Sequence, residues 1–137
     1  MLFKLNAGKR KWVDDTLSKM SVREKLGQMV CERAKTIFDG GALPDYMARY
    51  PIGSVFVGAE IIDQTGDSLG DVRNKCAKLR AVARPEQALL LCGDFEHGAG
   101  CVSNSLTRFP NPMALGAAGD PKLAYAEGEA IALEAGS

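Results

Sequence analysis

Apolar and polar residues in the first third of the chain repeat with the period of helices. Val13, Leu17 and Met20 recur at i, i+4 and i+7, which places them on one helical face. A second helix is predicted to begin at a capping box, in which the Ser21 hydroxyl and the Glu24 carboxylate each bind a free backbone N–H. Its apolar stripe is predicted to continue through Val22, Leu26, Met29 and Val30.

Two later segments have the composition of strands, and we predict strands near residues 52–57 and 89–93. Ile52 to Val57 is β-branched and aromatic, and Leu89 to Cys92 is a continuous apolar run, which favours a strand covered on both faces. A loop around Gly66 and a helix ending near Pro85 separate them. The helix is predicted to bury a face made of Val72, Cys76, Leu79 and Ala83. Strand, helix and strand form a βαβ unit, so the fold class is α/β with a parallel sheet.

Turn-forming residues divide the remainder of the chain. Gly40, Gly41 and Pro44 indicate a loop before a helical turn at Asp45 to Arg49. Ser103 to Pro112 is predicted to be a loop. Asp120 and Pro121 are suited to the N-cap and first position of a last helix over residues 122–135. That helix is rich in alanine and glycine, which would permit close approach to a sheet. We find no internal repeat or linker, so residues 1–137 are interpreted as part of one domain.

Composition and charge exclude several classes of protein. The 137 residues are 46% hydrophobic, and 17 basic residues balance 17 acidic ones, so no net charge recruits nucleic acid or an anionic membrane. The N-terminus lacks the apolar core of a signal peptide, and no run reaches transmembrane length. The chain has four cysteines and no C-x-x-C pair, which favours free thiols in a reducing compartment. We therefore expect a cytoplasmic protein.

Chemically active side chains are concentrated just after the second predicted strand. Asp94, Glu96 and His97 follow it directly, and ligands in α/β folds bind at the carboxyl ends of the strands. In an extended chain Asp94 and Glu96 point the same way, so both carboxylates could bind a polyhydroxylated ligand. They could equally cap turns and helices. Spacing alone leaves both interpretations open.

Three other interpretations of this stretch are weaker. Gly98 to Gly100 resembles the start of a dinucleotide fingerprint, but no helix is predicted to follow it. Cys92, Asp94, His97 and Cys101 are all possible zinc ligands, yet their spacing fits no established site, and core packing is favoured for Cys92. His97 and Cys101 suggest a thiol nucleophile, but nothing in the sequence shows how the thiolate would be activated. We predict no metal and no other cofactor.

Five ordered segments carry a resemblance to a known family, and together they cover nearly the whole chain. The chain resembles family 3 glycoside hydrolases in Trp12 to Met29, Ile52 to Phe56, Asp94 to Gly98, Thr107 to Pro110 and Met113 to Ala117. The resemblance implies an N-terminal (β/α)8 TIM barrel that hydrolyses terminal β-linked sugars with retention of configuration. Members of the family include β-N-acetylhexosaminidases and β-glucosidases. The implied partner is a β-linked oligosaccharide or glycoside.

The resemblance also assigns roles to the residues after the strand. Asp94 matches the family aspartate that hydrogen-bonds sugar hydroxyls in the −1 subsite. Glu96 is similar to the Asp-x-Glu motif of the hexosaminidases, whereas His97 and Gly98 are similar to the Asp-x-x-His-Gly motif of β-glucosidases. Val102 stands where hexosaminidases of the muropeptide-recycling type have a substrate-binding arginine. We therefore expect Asp94, Glu96 and His97 to bind substrate, and we expect Arg108 to be structural.

The predicted strands are too few for a complete barrel. A (β/α)8 barrel needs eight strands and about 250 residues, so we interpret the chain as an incomplete, N-terminal portion of one. The resemblance places the nucleophile, the acid/base residue and a Lys-His substrate motif beyond residue 137, and no catalytic residue is assigned here. The chain alone is expected to be inactive and to self-associate through exposed strand edges. The alternative is a non-catalytic carbohydrate-binding or interaction remnant.

Overall fold

The structure of the protein is a computed structural model that describes residues 5–58, 69–83 and 89–136. The predicted positions of Gly66 and Pro85 lie outside the described residues. Within these ranges, helices and short strands alternate along the chain in the following order: α1 (Ala7–Lys19), α2 (Val22–Gly27), β1 (Cys31–Arg33), α3 (Ala34–Asp39), α4 (Leu43–Arg49), β2 (Ser54–Phe56), α5 (Leu69–Val82), β3 (Leu90–Cys92), a 3₁₀-helix (Ala99–Cys101), α6 (Pro112–Ala118) and α7 (Pro121–Ala135).

The first helix begins at Ala7, before the predicted stripe that starts at Val13. The second begins at the predicted position and ends earlier than predicted. The capping box of α2 is confirmed, since the Glu24 backbone N–H donates to the Ser21 hydroxyl and the Ser21 N–H donates to the Glu24 carboxylate. The helix stops at Gly27, so the predicted continuation through Met29 and Val30 is wrong. A Cβ atom on Gly27 would lie 2.0 Å from the carbonyl oxygen of Pro51, and this close approach of two backbone segments requires glycine.

The three strands form one parallel sheet in the order β1-β2-β3. Ser54 lies opposite Cys31 on one side and Leu90 on the other, and Phe56 lies opposite Arg33 and Cys92. The predicted strands near 52–57 and 89–93 and their parallel pairing are therefore confirmed. Strand β1 was not predicted from the sequence. The sequence pattern assigns its residues to no element, because a strand of three residues with two charged side chains has no distinct apolar pattern.

One face of the sheet carries the hydrophobic core. Val55 and Leu79 have no solvent exposure, and α3 and α4 contribute Ile37 and Met47 to the same cluster. The predicted inner face of α5 is confirmed for Val72 and Leu79, which are buried, and for Cys76, which packs against the core. Ala83, the fourth predicted member, lies beyond the end of the helix at Val82. Helices α3, α4 and α5 thus cover the face of the sheet on which Val55 lies.

The opposite face is exposed among the described residues. Leu90 is 65% exposed and Cys92 is also exposed, whereas Leu91 between them packs against the core. The prediction of a strand covered on both faces is therefore wrong for β3, and so is the prediction that Cys92 packs in the core. The physical reason is alternation, because successive side chains of a strand point to opposite faces and the core helices lie on only one of them.

Helix α7 is formed as predicted, from the Asp120 cap, which accepts a hydrogen bond from the Lys122 backbone N–H. The expected close packing of this helix on the sheet is not observed, since none of its residues is buried and a Cβ atom on Gly128 would have no neighbour within 4 Å. Its small side chains instead border a shallow apolar groove shared with α6. No helix in the described ranges is both long and apolar enough to cross a membrane.

Candidate functional site

Two carboxylates stand just beyond the carboxyl end of β3. Asp94 and Glu96 are both exposed, and within the part of the chain that the structure describes neither has a hydrogen-bond or ion-pair partner. The alternative interpretation, in which they cap turns or helices, finds no support in those contacts. Both groups are free to accept hydrogen bonds from a ligand at the edge where α/β proteins bind ligands.

A tight turn follows Asp94 immediately. The Gly98 backbone N–H donates to the Phe95 carbonyl oxygen at 3.1 Å, which places Glu96 and His97 at the two central positions of the turn. The chain is therefore not extended from Asp94 through Glu96, as the argument from alternation assumed. The turn is what brings Glu96 to the surface next to β3.

Gly98 is the residue that permits this turn to pack against the following loop. Its φ angle is +112°, a conformation that residues with a side chain rarely adopt. A Cβ atom there would also lie 2.4 Å from the carbonyl oxygen of Thr107. The Gly100 N–H donates to that same oxygen at 2.8 Å. Glycine is thus required at position 98 both by backbone conformation and by space.

Both ring nitrogens of His97 have partners in the loop. The Arg108 Nε–H donates to His97 Nε2 at 2.9 Å, and Nδ1 lies 3.6 Å from the Cys101 sulfur. Because a guanidinium can only donate, the hydrogen bonding assigns the proton of the neutral ring to Nδ1. The Phe109 N–H also donates to the His97 carbonyl oxygen at 2.7 Å. His97 and Arg108 therefore connect the loop to the turn, and this contact supports the structural role predicted for Arg108.

The geometry argues against the two other chemistries considered for this stretch. With its proton on Nδ1, His97 donates toward the Cys101 sulfur and cannot act as the base that activates that thiol. Among the described residues, no three His, Cys, Asp or Glu side chains come close enough together to hold a metal ion. The zinc cluster of Cys92, Asp94, His97 and Cys101 is therefore not formed.

A long-range contact that the sequence did not indicate fixes the far side of the loop. The Glu134 carboxylate near the end of α7 accepts hydrogen bonds from the Thr107 hydroxyl at 2.6 Å and from the Thr107 backbone N–H at 3.0 Å. The sequence separation of 27 positions between the two partners hides this pairing from any local pattern. Ser103, in the middle of the loop, is completely buried.

A cavity of about 490 Å³ lies on the helix side of β3 and is distinct from the two carboxylates. It is lined by parts of α5, β3 and α7, including Val72, Leu91 and Glu134, and neither Asp94 nor Glu96 contributes to its wall. Asp94 and Glu96 are exposed and lie outside the lining of this cavity.

Fold and site together define a class of protein: an α/β protein with a parallel sheet and two free carboxylates at the carboxyl end of a strand. Comparison with protein families identifies the family. The model described as "Glycosyl hydrolase family 3 N terminal domain" matches residues 21–137, and the chain belongs to this family. The matched range begins at the cap of α2, so the part of the resemblance before Ser21 lies outside it. Neither the curated proteins nor the solved structures gave a match.

Proposed function

We propose that this chain supplies part of the −1 sugar subsite of an exo-acting, retaining β-glycoside hydrolase, in which Asp94 and Glu96 accept hydrogen bonds from sugar hydroxyls. One observation carries the proposal. The chain belongs to a glycosyl hydrolase family, and it presents two exposed carboxylates at the carboxyl end of a parallel strand. Neither carboxylate has a partner in the described structure. Hydroxyl donors bind ionised carboxylates through short, charge-assisted hydrogen bonds. A β-glucoside or β-N-acetylhexosaminide end supplies such donors.

His97 has a less direct role in this proposal. Its ring nitrogens are occupied by Arg108 and by Cys101, so a sugar hydroxyl reaches the ring only by replacing one of these contacts. In the proposed site, His97 contributes to substrate binding chiefly by stabilising the turn that presents Glu96. The four free cysteines support our further proposal that the protein works in a reducing compartment, such as the cytoplasm.

The proposal is tested by titrating the purified chain with methyl β-glucoside and with methyl β-N-acetylglucosaminide while recording NMR shifts of backbone amides. We expect binding that Asp94→Asn weakens by about 10- to 100-fold, since a hydrogen bond to a charged group contributes about 1.5–3 kcal/mol. Asp14→Asn is the matched control, because Asp14 is an exposed aspartate of α1 outside the family match. Equal affinity of the Asp94→Asn variant and the unaltered chain would remove Asp94 from the site.

The chain alone is not expected to release nitrophenol from either nitrophenyl β-glycoside above the uncatalysed rate. Retaining glycosidases generally need a carboxylate nucleophile and an acid/base carboxyl group about 5–5.5 Å apart across the scissile bond, and we propose neither role for Asp94 or Glu96. Turnover by the pure protein that disappears in Asp94→Ala would contradict this assignment.

Kinetics on a longer form of the protein would distinguish the enzyme hypothesis from the hypothesis of a non-catalytic sugar-binding remnant. If residues after Ser137 complete a barrel, Asp94→Asn in that form should lower kcat/KM by at least about 100-fold while the circular dichroism spectrum stays unchanged. Sugar binding without turnover in every longer form would favour the remnant.

A further inference from the structure

Two cysteines meet on the exposed face of the sheet. Cys31 of β1 and Cys92 of β3 lie on either side of β2, and their sulfur atoms are 3.6 Å apart. Both side chains are exposed and both thiols are free. The Cys92 sulfur also lies 3.6 Å from the Val55 carbonyl oxygen. The pair is separated by 61 residues in the chain and has no part in the proposed sugar site.

The sheet geometry disfavours a disulfide between these two thiols. Neighbouring strands are about 4.8 Å apart. Strand β2 lies between β1 and β3, and Cys92 is opposite Phe56 whereas Cys31 is opposite Ser54, so the two Cα atoms are well beyond one strand spacing apart. A disulfide needs a Cα separation of about 4.4–6.8 Å. Oxidation of the pair would therefore require a strand to leave its register. A ligand that binds to both sulfur atoms, with no bond between the sulfur atoms themselves, fits this geometry better.

The distance between the sulfur atoms matches that of two ligands of a tetrahedral metal ion. With Zn–S bonds of about 2.3 Å and tetrahedral angles, two thiolates on one zinc ion lie about 3.8 Å apart. The observed separation is 3.6 Å, so a small side-chain rotation is sufficient. We propose that Cys31 and Cys92 form a two-thiolate site for a thiophilic, tetrahedral metal ion, with Zn²⁺ as the physiological case.

The surroundings of the pair set the coordination that the protein provides. Ser54, the β2 residue opposite Cys31, donates its hydroxyl to the Val30 carbonyl oxygen and does not act as a ligand. No cluster of three or more His, Cys, Asp or Glu is found in the described ranges, so the described residues supply two protein ligands and water would complete the coordination. An open site of this kind binds more weakly than a four-cysteine structural site and exchanges its metal more readily.

Desolvation and the neighbouring Cys31 raise the pKa of Cys92 above its ordinary value of 9.0. A metal ion that binds thiols displaces their protons. The soft sulfur donors of the pair select zinc over magnesium or calcium, which prefer oxygen ligands.

The proposal is tested first by metal titration of the reduced chain of 137 residues. Zn²⁺ in competition with a chromophoric chelator should bind with one equivalent per chain, and Co²⁺ should give the sulfur-to-cobalt charge-transfer bands of a tetrahedral thiolate site. We expect Cys31→Ser and Cys92→Ser each to weaken binding by at least 10-fold and to remove those bands. The control variant, Cys76→Ser with Cys101→Ser, should bind as the unaltered chain does.

Alkylation of the unaltered chain gives a test that does not depend on variant folding. N-ethylmaleimide labelling followed by mass spectrometry should show that Zn²⁺ protects Cys31 and Cys92 by at least 10-fold, while Mg²⁺ does not. Labelling of Cys76 and Cys101 should be unaffected by either ion. Absence of protection at Cys31 and Cys92, or zinc binding that persists when both are replaced by serine, would overturn the proposal.

Discussion

Gly98 has a φ angle of +112° and its α-carbon faces the Thr107 carbonyl oxygen at a distance that leaves no space for a methyl group. We expect Gly98→Ala to lower the free energy of unfolding by about 1–3 kcal/mol, because a non-glycine residue is strained there and the loop must move. Gly128→Ala is the control. It lies in α7 with no neighbour within 4 Å, so it should raise stability by about 0.5–1 kcal/mol.

Urea denaturation of both variants measures the difference. If Gly98→Ala were as stable as Gly128→Ala, the turn would not depend on glycine, and the backbone hydrogen bonds from Gly98 and Gly100 would not determine the position of Glu96.

The raised pKa values of three other residues predict how stability depends on pH. Burial raises the pKa of Tyr46 above 10.0, with a further contribution from Glu32. Burial also raises the pKa values of Cys76 and Cys92 above 9.0. For each group the folded state favours the neutral form, so its contribution to stability is fully present below the unfolded-state pKa. That contribution is lost as the pH rises through the folded-state pKa.

We therefore expect the Tm to be level near neutral pH and to fall from about pH 9 upward as the first thiols ionise. Thermal unfolding followed by circular dichroism at a series of pH values checks this. Cys76→Ala removes one of the buried groups and should give a shallower alkaline decline, although its Tm at neutral pH is lower because a packed side chain is lost. A Tm that increased above pH 9 would contradict the sign.

At the scale of elements, the Glu134 carboxylate connects α7 to the loop that follows the site. Glu134→Ala removes two hydrogen bonds to Thr107. We expect a loss of about 1.5 kcal/mol, the lower end for charged hydrogen bonds because Thr107 is exposed, and roughly 10-fold faster hydrogen exchange of the Thr107 amide. Glu129→Ala is the matched control, since Glu129 lies on the exposed side of the same helix.

Unchanged exchange at Thr107 in Glu134→Ala would show that α7 does not anchor the loop. Exchange that increased equally in Glu129→Ala would assign the effect to α7 as a whole instead of to the one carboxylate.

The elements that the sequence predicted correctly are those with a long or clearly bounded pattern. Helix α5 repeats its apolar face over several turns, and α7 begins at the Asp120 cap. Helices α3 and α6 were not predicted, because they have six and seven residues and show little more than one apolar repeat. Strand β1 escaped prediction because two of its three residues are charged and it has no apolar run, so its pairing with β2 is what makes it a strand.

At the scale of the whole molecule, the exposed face and the outer strands of the sheet predict self-association. Strands β1 and β3 are the outer members of the sheet among the described residues, and Leu90 is 65% exposed on its uncovered face. Unpaired N–H and C=O groups beside an apolar surface are a template for another chain. We expect oligomers or aggregates in size-exclusion chromatography with light scattering.

A charge on the outer strand should oppose this association, so Leu90→Lys should increase the monomer fraction. Leu133→Lys is the matched control, since Leu133 is 71% exposed on α7, away from the strands. A sharp monomer peak with a cooperative thermal transition for the unaltered chain would show that the sheet edges are protected.

The sequence by itself determined the α/β class, the parallel strands β2 and β3, the principal helices and the family. It could do so because periodicity, caps and ordered motifs are local and can be read directly along the chain. It also located Asp94 and Glu96 after a strand. Only the tertiary structure decided that Cys92 is exposed beside Cys31. It also decided that Arg108 donates a hydrogen bond to His97 and that Glu134 accepts hydrogen bonds from Thr107. These contacts depend on the register of the sheet and on how loops fold back over it, and neither is encoded in a local pattern.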